Sequence, residues 1–263
     1  MEILIILIVA FIIYLILGTD NTLNTITYDI KSNKLKNSIK IALIADLHSC
    51  DYKNSLLYEI DKNRPDLILL PGDIIDDRIY FRNGIDFLKR IGKKYPSYYV
   101  TGNHELRIDK KYEIKKLIAS NNIHVLDGTF ESISIKDSKL NIFGLDDYEI
   151  GEEIWTEQMN NLLSNMNPDE YNVLLSHRPE KNKIYFDAGF DLTVAGHSHG
   201  GQWRIPKVLN GLYSPNQGFF PKYAGGLYKN NKMSLIVSRG LAKKTTRTPR
   251  IFNPPELVFI HIN

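Results

Sequence analysis

Tyr98-Tyr99-Val100-Thr101-Gly102-Asn103-His104-Glu105 is the stretch from which the rest of this chain can be read. Its first half is apolar and β-prone, so it reads as a buried strand. Glycine permits a sharp turn where the strand ends. Past the turn stand an amide oxygen on Asn103 and an imidazole on His104 that titrates near neutrality. Four such residues carry little weight alone. The same arrangement, an apolar run ending in a metal-binding type of side chain, recurs in this chain. It is found at Asp46-Leu47-His48, at Gly72-Asp73-Ile74-Ile75-Asp76, at Ser176-His177 and at Gly196-His197-Ser198-His199. That repetition points to a metalloenzyme.

Working outward, hydrophobic periodicity predicts strands at 39–45, 67–70, 97–100, 123–126, 172–175, 192–195, 233–237 and 257–262. Strands at 129–135 and 140–145 are expected to form a hairpin, and a short strand is expected at 24–30. Helices are expected at 55–62, 81–94, 109–120 with Asp109 as N-cap, 153–164 and 179–186. Residues 200–228 read as irregular. Strand, then chemistry, then helix is the order of open α/β folds, whose ligands sit beyond the carboxyl ends of the strands. The hairpin-like succession of late strands implies a second, mixed sheet stacked on the first.

The donors left at strand ends are Asp46, His48, Asp73, Asn103, His177, His197 and His199. Oxygen and imidazole donors suit manganese, iron or zinc. A single cysteine, Cys50, excludes an intrachain disulfide and a thiolate zinc cluster, and itself reads as a small buried residue. In an extended chain, Asp46-x-His48 and His197-x-His199 each place two donors on one side. Seven donors are too many for one tetrahedral ion and suit two ions sharing a carboxylate. Such a pair, about 3.5–4 Å apart, deprotonates a bridging water and neutralises phosphate oxygens. Attack at phosphorus is then in line, with His104 the candidate acid for the leaving alkoxide. His124 and His261 lie inside strands with no companion motif and read as structural. Asp146-Asp147 reads either as support for the site or as a loop cap.

With these residues in order, the chain resembles the calcineurin-like metallophosphoesterase superfamily. Its pattern is D-x-H, G-D-x-x-D, G-N-H-E/D, a lone H, and G-H-x-H; every element is present between about Ile39 and His199. The resemblance implies a four-layer α/β/β/α sandwich with a dinuclear metal centre at its edge. It implies that Asp46, His48 and His199 hold one ion, that Asn103, His177 and His197 hold the other, and that Asp73 bridges them. His104 becomes the general acid. Asp76 becomes the carboxylate that keeps that imidazole protonated and oriented. A tyrosine would stand in place of Asp76 in a purple acid phosphatase, which also lacks the histidine at His48.

Features outside the core resemble the small bacterial membrane-associated branch. They are the N-terminal apolar run, Phe143-Gly144-Leu145-Asp146-Asp147, Gly200-Gly201-Gln202, Ser238-Arg239-Gly240-Leu241, and Arg250 to Leu257. That branch is associated with phosphodiester hydrolysis, and some members resemble the lipid A pathway enzyme that cleaves UDP-2,3-diacylglucosamine. The expected partner is therefore a phosphoester small molecule or a lipid headgroup. Export by a twin-arginine route is not expected, because the signal is missing.

Residues 3–17 are unbroken apolar sequence, preceded by Glu2 rather than by a basic segment. This favours a retained single-pass anchor at 1–19 over a cleaved signal, then a tether at 20–38 and a catalytic domain at 39–263. Lys31, Lys34, Lys36 and Lys40 follow the run, which leans the domain toward the cytoplasmic side. Phe219-Phe220-Pro221-Lys222-Tyr223 reads either as an apolar lip beside the site or as ordinary loop packing. A net charge of +3 over 263 residues is small for a nucleic-acid binder, so no stable nucleic-acid partner is expected. Lys243, Lys244, Arg247 and Arg250 keep a nuclease in view as the alternative, beside an anchored metal-binding protein without turnover.

Overall fold

The computed structural model describes residues 1–230, 233–243 and 248–263. Its centre is a pair of stacked mixed sheets. The first runs in the order Asn24–Ile30, Glu256–Ile262, Ile39–Leu43, Leu67–Pro71, Ser97–Val100, His124–Val125. The second runs Gly226–Lys229, Ser234–Val237, Leu192–Ala195, Tyr171–Leu175, Ser138–Gly144, Phe130–Ile135. Ile39–Leu43, Leu67–Pro71 and Ser97–Val100 are mutually parallel, and so are Ser138–Gly144, Tyr171–Leu175 and Leu192–Ala195. Their carboxyl ends therefore lie on one edge, where the motifs follow.

Period-two alternation assigns each strand residue to a layer. Ile41, Leu43, Leu67, Leu69 and Val100 face Ile142, Val173, Leu175 and Val194 in the core between the sheets. Ala42, Ile44, Ile68, Leu70 and Tyr99 point the other way, onto the helices Ser55–Asn63, Arg82–Ile91 and Lys111–Ala119. Phe143, Leu174 and Leu235 pack on Trp155, Met159 and Tyr185 of the helices beneath the second sheet. Covered on both faces, inner strands such as Leu67–Pro71 and Leu192–Ala195 are buried at every position. The layering is α/β/β/α, as expected.

The short strand expected within residues 20–38 is present: Asn24–Ile30 is an edge strand of the first sheet, parallel to Glu256–Ile262. Two expectations need correction. Asp109 does not cap a helix; the helix begins at Lys111 after Lys110, with no side-chain cap. The transmembrane anchor is not supported either. Glu2–Gly18 is a helix of 17 residues, about 25 Å long against a hydrocarbon core of about 30 Å. No helix among the described residues is long and apolar enough to cross a membrane. Its C-terminal part instead rests on the domain: the Tyr14 hydroxyl donates to the Arg204 carbonyl at 2.8 Å, and Phe11 lies against Trp203.

Candidate metal centre

The loops after the strands place the donors. Gly72 and Gly102 come together because neither has a side chain. A Cβ on Gly72, which also has φ +83°, would stand 2.3 Å from the Gly102 nitrogen, and one on Gly102 would stand 2.2 Å from an Asp73 carboxylate oxygen. Glu105 ties the same two loops together. Its buried carboxylate accepts from the backbone nitrogens of Asp73, Ile75 and Gly102, each at 2.9 Å.

The two-residue spacing of the donors does not work by strand alternation. Asp46, His48, Asp73, His197 and His199 all have positive φ, between 45° and 68°. The chain has already left the sheet and turns through the left-handed region, which L residues occupy at a cost. His197 and His199 consequently diverge into different groups. Asp46, His48 and His199 form one cluster of mutually close donor atoms, and Asp73, His177 and His197 form another.

Asp73 lies between the clusters. Its Oδ2 is 3.2 Å from His177 Nε2 and 3.6 Å from His48 Nε2. The Asn103 amide closes the second cluster, 3.3 Å from His177 Nε2. His199 Nε2 is 3.9 Å from Asp46 Oδ1, and Asp46 also accepts from the His197 backbone nitrogen at 3.0 Å.

Three imidazoles are held by their far nitrogens. His177 Nδ1 lies 2.7 Å from the Pro71 carbonyl, which fixes it as the donor and turns Nε2 inward. His48 Nδ1 lies 2.8 Å from Asp76 Oδ2. His197 Nε2 lies 2.8 Å from Asn216 Oδ1, so Nδ1 faces inward. Metal-binding histidines are oriented in this way.

The residues fit divalent cations. His48 Nε2 and His199 Nδ1 are buried and have no hydrogen-bond partner. Burial pushes the Asp46 carboxyl up to about 6. Burial acts on Asp73 too, but His177, His48 and His104 together hold it well below the usual carboxylate range. Burial pushes His197 down to about 3, which keeps it neutral and able to donate a lone pair. Buried carboxylates and inward lone pairs together call for positive charge at this point.

His104 stands at the edge, with Nε2 4.0 Å from Asp73 Oδ2. Its expected partner was Asp76, but Asp76 Oδ1 is 3.8 Å from His104 Nδ1 and Asp77 makes the hydrogen bond. Asp76 is turned away by two other claims on it, from His48 and from the Arg78 guanidinium. Asp147 both supports and caps. It accepts from Arg178, next to His177, at 2.7 and 2.9 Å, and it caps the short turn Tyr148–Ile150. His124 and His261 lie outside the centre, against Glu131 and Asp29. Cys50 is a partly buried free thiol packed on the helix-side core.

Asp77 and Asn216 are the functional-site residues that sequence reading missed. Asp77 adjoins the motif carboxylate, which offered a signal. Asn216 is delivered by the hairpin Tyr213–Ser214/Gly218–Phe219 inside a stretch with no periodicity, and offered none.

Two stacked mixed sheets carrying carboxylates and imidazoles at their strand ends define a metal-dependent phosphoesterase. The chain belongs to the calcineurin-like phosphoesterase family, whose model matches residues 39–201. It is similar to the uncharacterized metallophosphoesterase YkuE of Bacillus subtilis, at 27% identity over 248 residues, covering 89% of this chain and 84% of that one. It is similar to the phosphodiesterase YaeI of Escherichia coli, at 26% identity over 212 residues, covering 77% and 74%. Among solved structures, a dimetal phosphatase from Danio rerio shares the fold with a TM-score of 0.50 at 14% identity, covering 77% of this chain and 88% of that one.

Proposed function

We propose that the chain hydrolyses phosphodiesters at a centre of two divalent ions, manganese, iron or zinc. The observation that carries this is the position of Asp73 Oδ2 between His48 Nε2 and His177 Nε2, at 3.6 and 3.2 Å. One carboxylate oxygen within reach of both donor clusters is the arrangement that two ions sharing a ligand require. On this reading Asp46, His48 and His199 hold one ion, and Asn103, His177 and His197 hold the other. When bound, divalent ions supply an activated shared water and neutralise phosphate oxygens.

This chain's residues do the rest. Asp76 orients His48, the Pro71 carbonyl orients His177, and Asn216 orients His197. His104, backed by Asp77, donates the proton that the leaving oxygen needs. We also assign an amphiphilic, lipid-linked phosphoester as substrate. The support is that Phe219 and Phe220, 70% and 68% exposed, project from the hairpin that brings Asn216 to His197.

The nuclease alternative finds less support. The Arg250 guanidinium is buried and donates to the backbone carbonyls of Arg239, Gly240 and Asn253. Lys243 lies over the Tyr52 ring at 3.7 Å. Lys244 and Arg247 fall outside the described residues.

The test is the whole chain, loaded with manganese, iron or zinc in turn, against bis(4-nitrophenyl) phosphate and 4-nitrophenyl phosphate. Metal-dependent turnover favouring the diester, with two ions bound per chain, is expected. No turnover with any of the three metals would overturn the reading.

A further inference from the structure

The Asn103 amide has two orientations, and they ask for different neighbours. With the oxygen inward, Oδ1 lies 3.3 Å from His177 Nε2, in the second donor cluster. The amide nitrogen then faces Arg107 Nη1 and the His104 backbone nitrogen, so donor meets donor. Turned over, the amide pairs at both ends. Its nitrogen donates to His197 Nδ1 at 2.9 Å and to His177 Nε2 at 3.3 Å. Its oxygen accepts from Arg107 Nη1 at 3.1 Å and from the His104 nitrogen at 3.3 Å.

The surroundings fix these partners. Asn216 Oδ1 makes His197 Nε2 the donor of that ring, which leaves a lone pair on Nδ1. The His104 nitrogen has a second acceptor, Asp73 Oδ1 at 2.9 Å. Glu149 grips Arg107 by Nε at 2.8 Å and by Nη2, which leaves Nη1 turned to Asn103. Asn103 is buried, so both ends of its amide depend on protein partners. A cation can use only the oxygen, because the amide nitrogen is a donor.

We infer that Arg107 is a positioning residue: it holds the Asn103 oxygen outward and so weakens the ion at Asn103, His177 and His197 relative to the ion at Asp46, His48 and His199. The inference rests on the two-ion reading above. Binding at Asn103 must turn the amide over, break its bond from Arg107 and leave Nη1 against an N–H. The guanidinium charge opposes the ion in the same direction. The other cluster holds a carboxylate of its own, Asp46, and no amide. The centre therefore keeps one ion and exchanges the other.

The experiment is calorimetric titration of manganese into the full chain after treatment with chelator. Two steps of unequal affinity are expected in the parent. Arg107→Met removes a side chain that is 47% exposed and so leaves the core untouched. It is expected to tighten the weaker step about three- to tenfold, the worth of one hydrogen bond, and to leave the stronger step unchanged. A residue that merely supported the site would act with the opposite sign. Two ions bound by the variant, with the weaker step unchanged or weakened, overturn the role of Arg107 and leave the two-ion reading standing. A parent that binds no second ion overturns both. Asn103→Asp removes the choice of orientation, because a carboxylate has an oxygen at each end. In that background the gain from Arg107→Met is expected to shrink. A gain of equal size there would make the guanidinium charge alone the cause and overturns the amide assignment.

Discussion

Asp76 Oδ2 lies 2.8 Å from His48 Nδ1, with both side chains 1% exposed, while the adjoining Asp77 reaches His104. Two successive carboxylates thus serve two different imidazoles. Asp76→Asn should weaken metal binding about 10- to 100-fold, as loss of an outer carboxylate behind a ligand histidine does. Asp77→Asn should leave metal affinity unchanged and lower kcat for esters with poor leaving groups. Isothermal metal titration beside steady-state kinetics separates the two. Equal loss of metal from both variants would show that the carboxylates are not divided in this way.

How much of this was legible beforehand differs by level. The layers follow from continuous apolar strands and amphipathic helices, so their order could be read. The seven donors follow strand ends in sequence, so they could be named. Their grouping came from the family resemblance, which already set Asp46 and His48 with His199 and set His197 with His177. Spacing alone could not give it, because the pairing of Asp46 with His199 rather than with His197 depends on left-handed backbone at five donor positions. The choice between Asp76 and Asp77 depends on Arg78, whose guanidinium competes for Asp76. The apolar run at the N-terminus was legible as a helix, but its length and its seat against Trp203 and Arg204 came from the fold.

His104→Gln should keep the metals and lose turnover. The loss should reach about 10²–10⁴-fold on alkyl esters, the usual contribution of a general acid. Nitrophenyl esters, whose leaving group needs little proton donation, should lose far less. The ratio of the two losses is the measurement. A ratio near one would make phosphate binding, and not proton transfer, the role of this histidine.

Metal loss should be visible in stability. Ions bound only by the folded state stabilise it by mass action. At about 100-fold above the dissociation constant, the effect on a chain of this size is on the order of 5–10 °C in Tm. Chelation should remove that increment, and Asp73→Asn should show none to remove. A parent Tm indifferent to chelator, measured by calorimetry, contradicts the assignment of the buried donors to metal.

Glu105→Gln tests the tie between the two glycine loops. One amide oxygen can replace one carboxylate oxygen, but the amide nitrogen then faces a backbone N–H as donor against donor. Leaving such a group unsatisfied in a buried site costs about 1–3 kcal/mol. Urea unfolding should show a loss in that range, with metal affinity falling because Asp73 and Asn103 are no longer held in register. Unchanged stability would mean that Gly72 and Gly102 hold the loops together without Glu105.

The last expectation concerns Phe219 and Phe220. Large aromatic side chains left this exposed on a short hairpin contribute little to the fold. Tyr213 stacks edge-on against Phe219 at 5.4 Å between ring centroids, and Phe219 and Phe220 lie 6.4 Å apart, so the three form one apolar edge. Asn216 in the same hairpin holds His197, so that edge stands beside the proposed phosphate site. A lipid-linked phosphodiester should then show a higher kcat/KM than its water-soluble analogue, because apolar surface is withdrawn from water only by the former. Phe219→Ser with Phe220→Ser should narrow the difference by lowering kcat/KM for the lipid-linked ester alone, with turnover of bis(4-nitrophenyl) phosphate as the control for an intact centre. Comparable kcat/KM for the two esters in the parent chain would remove the lipid assignment and leave the metal chemistry as argued.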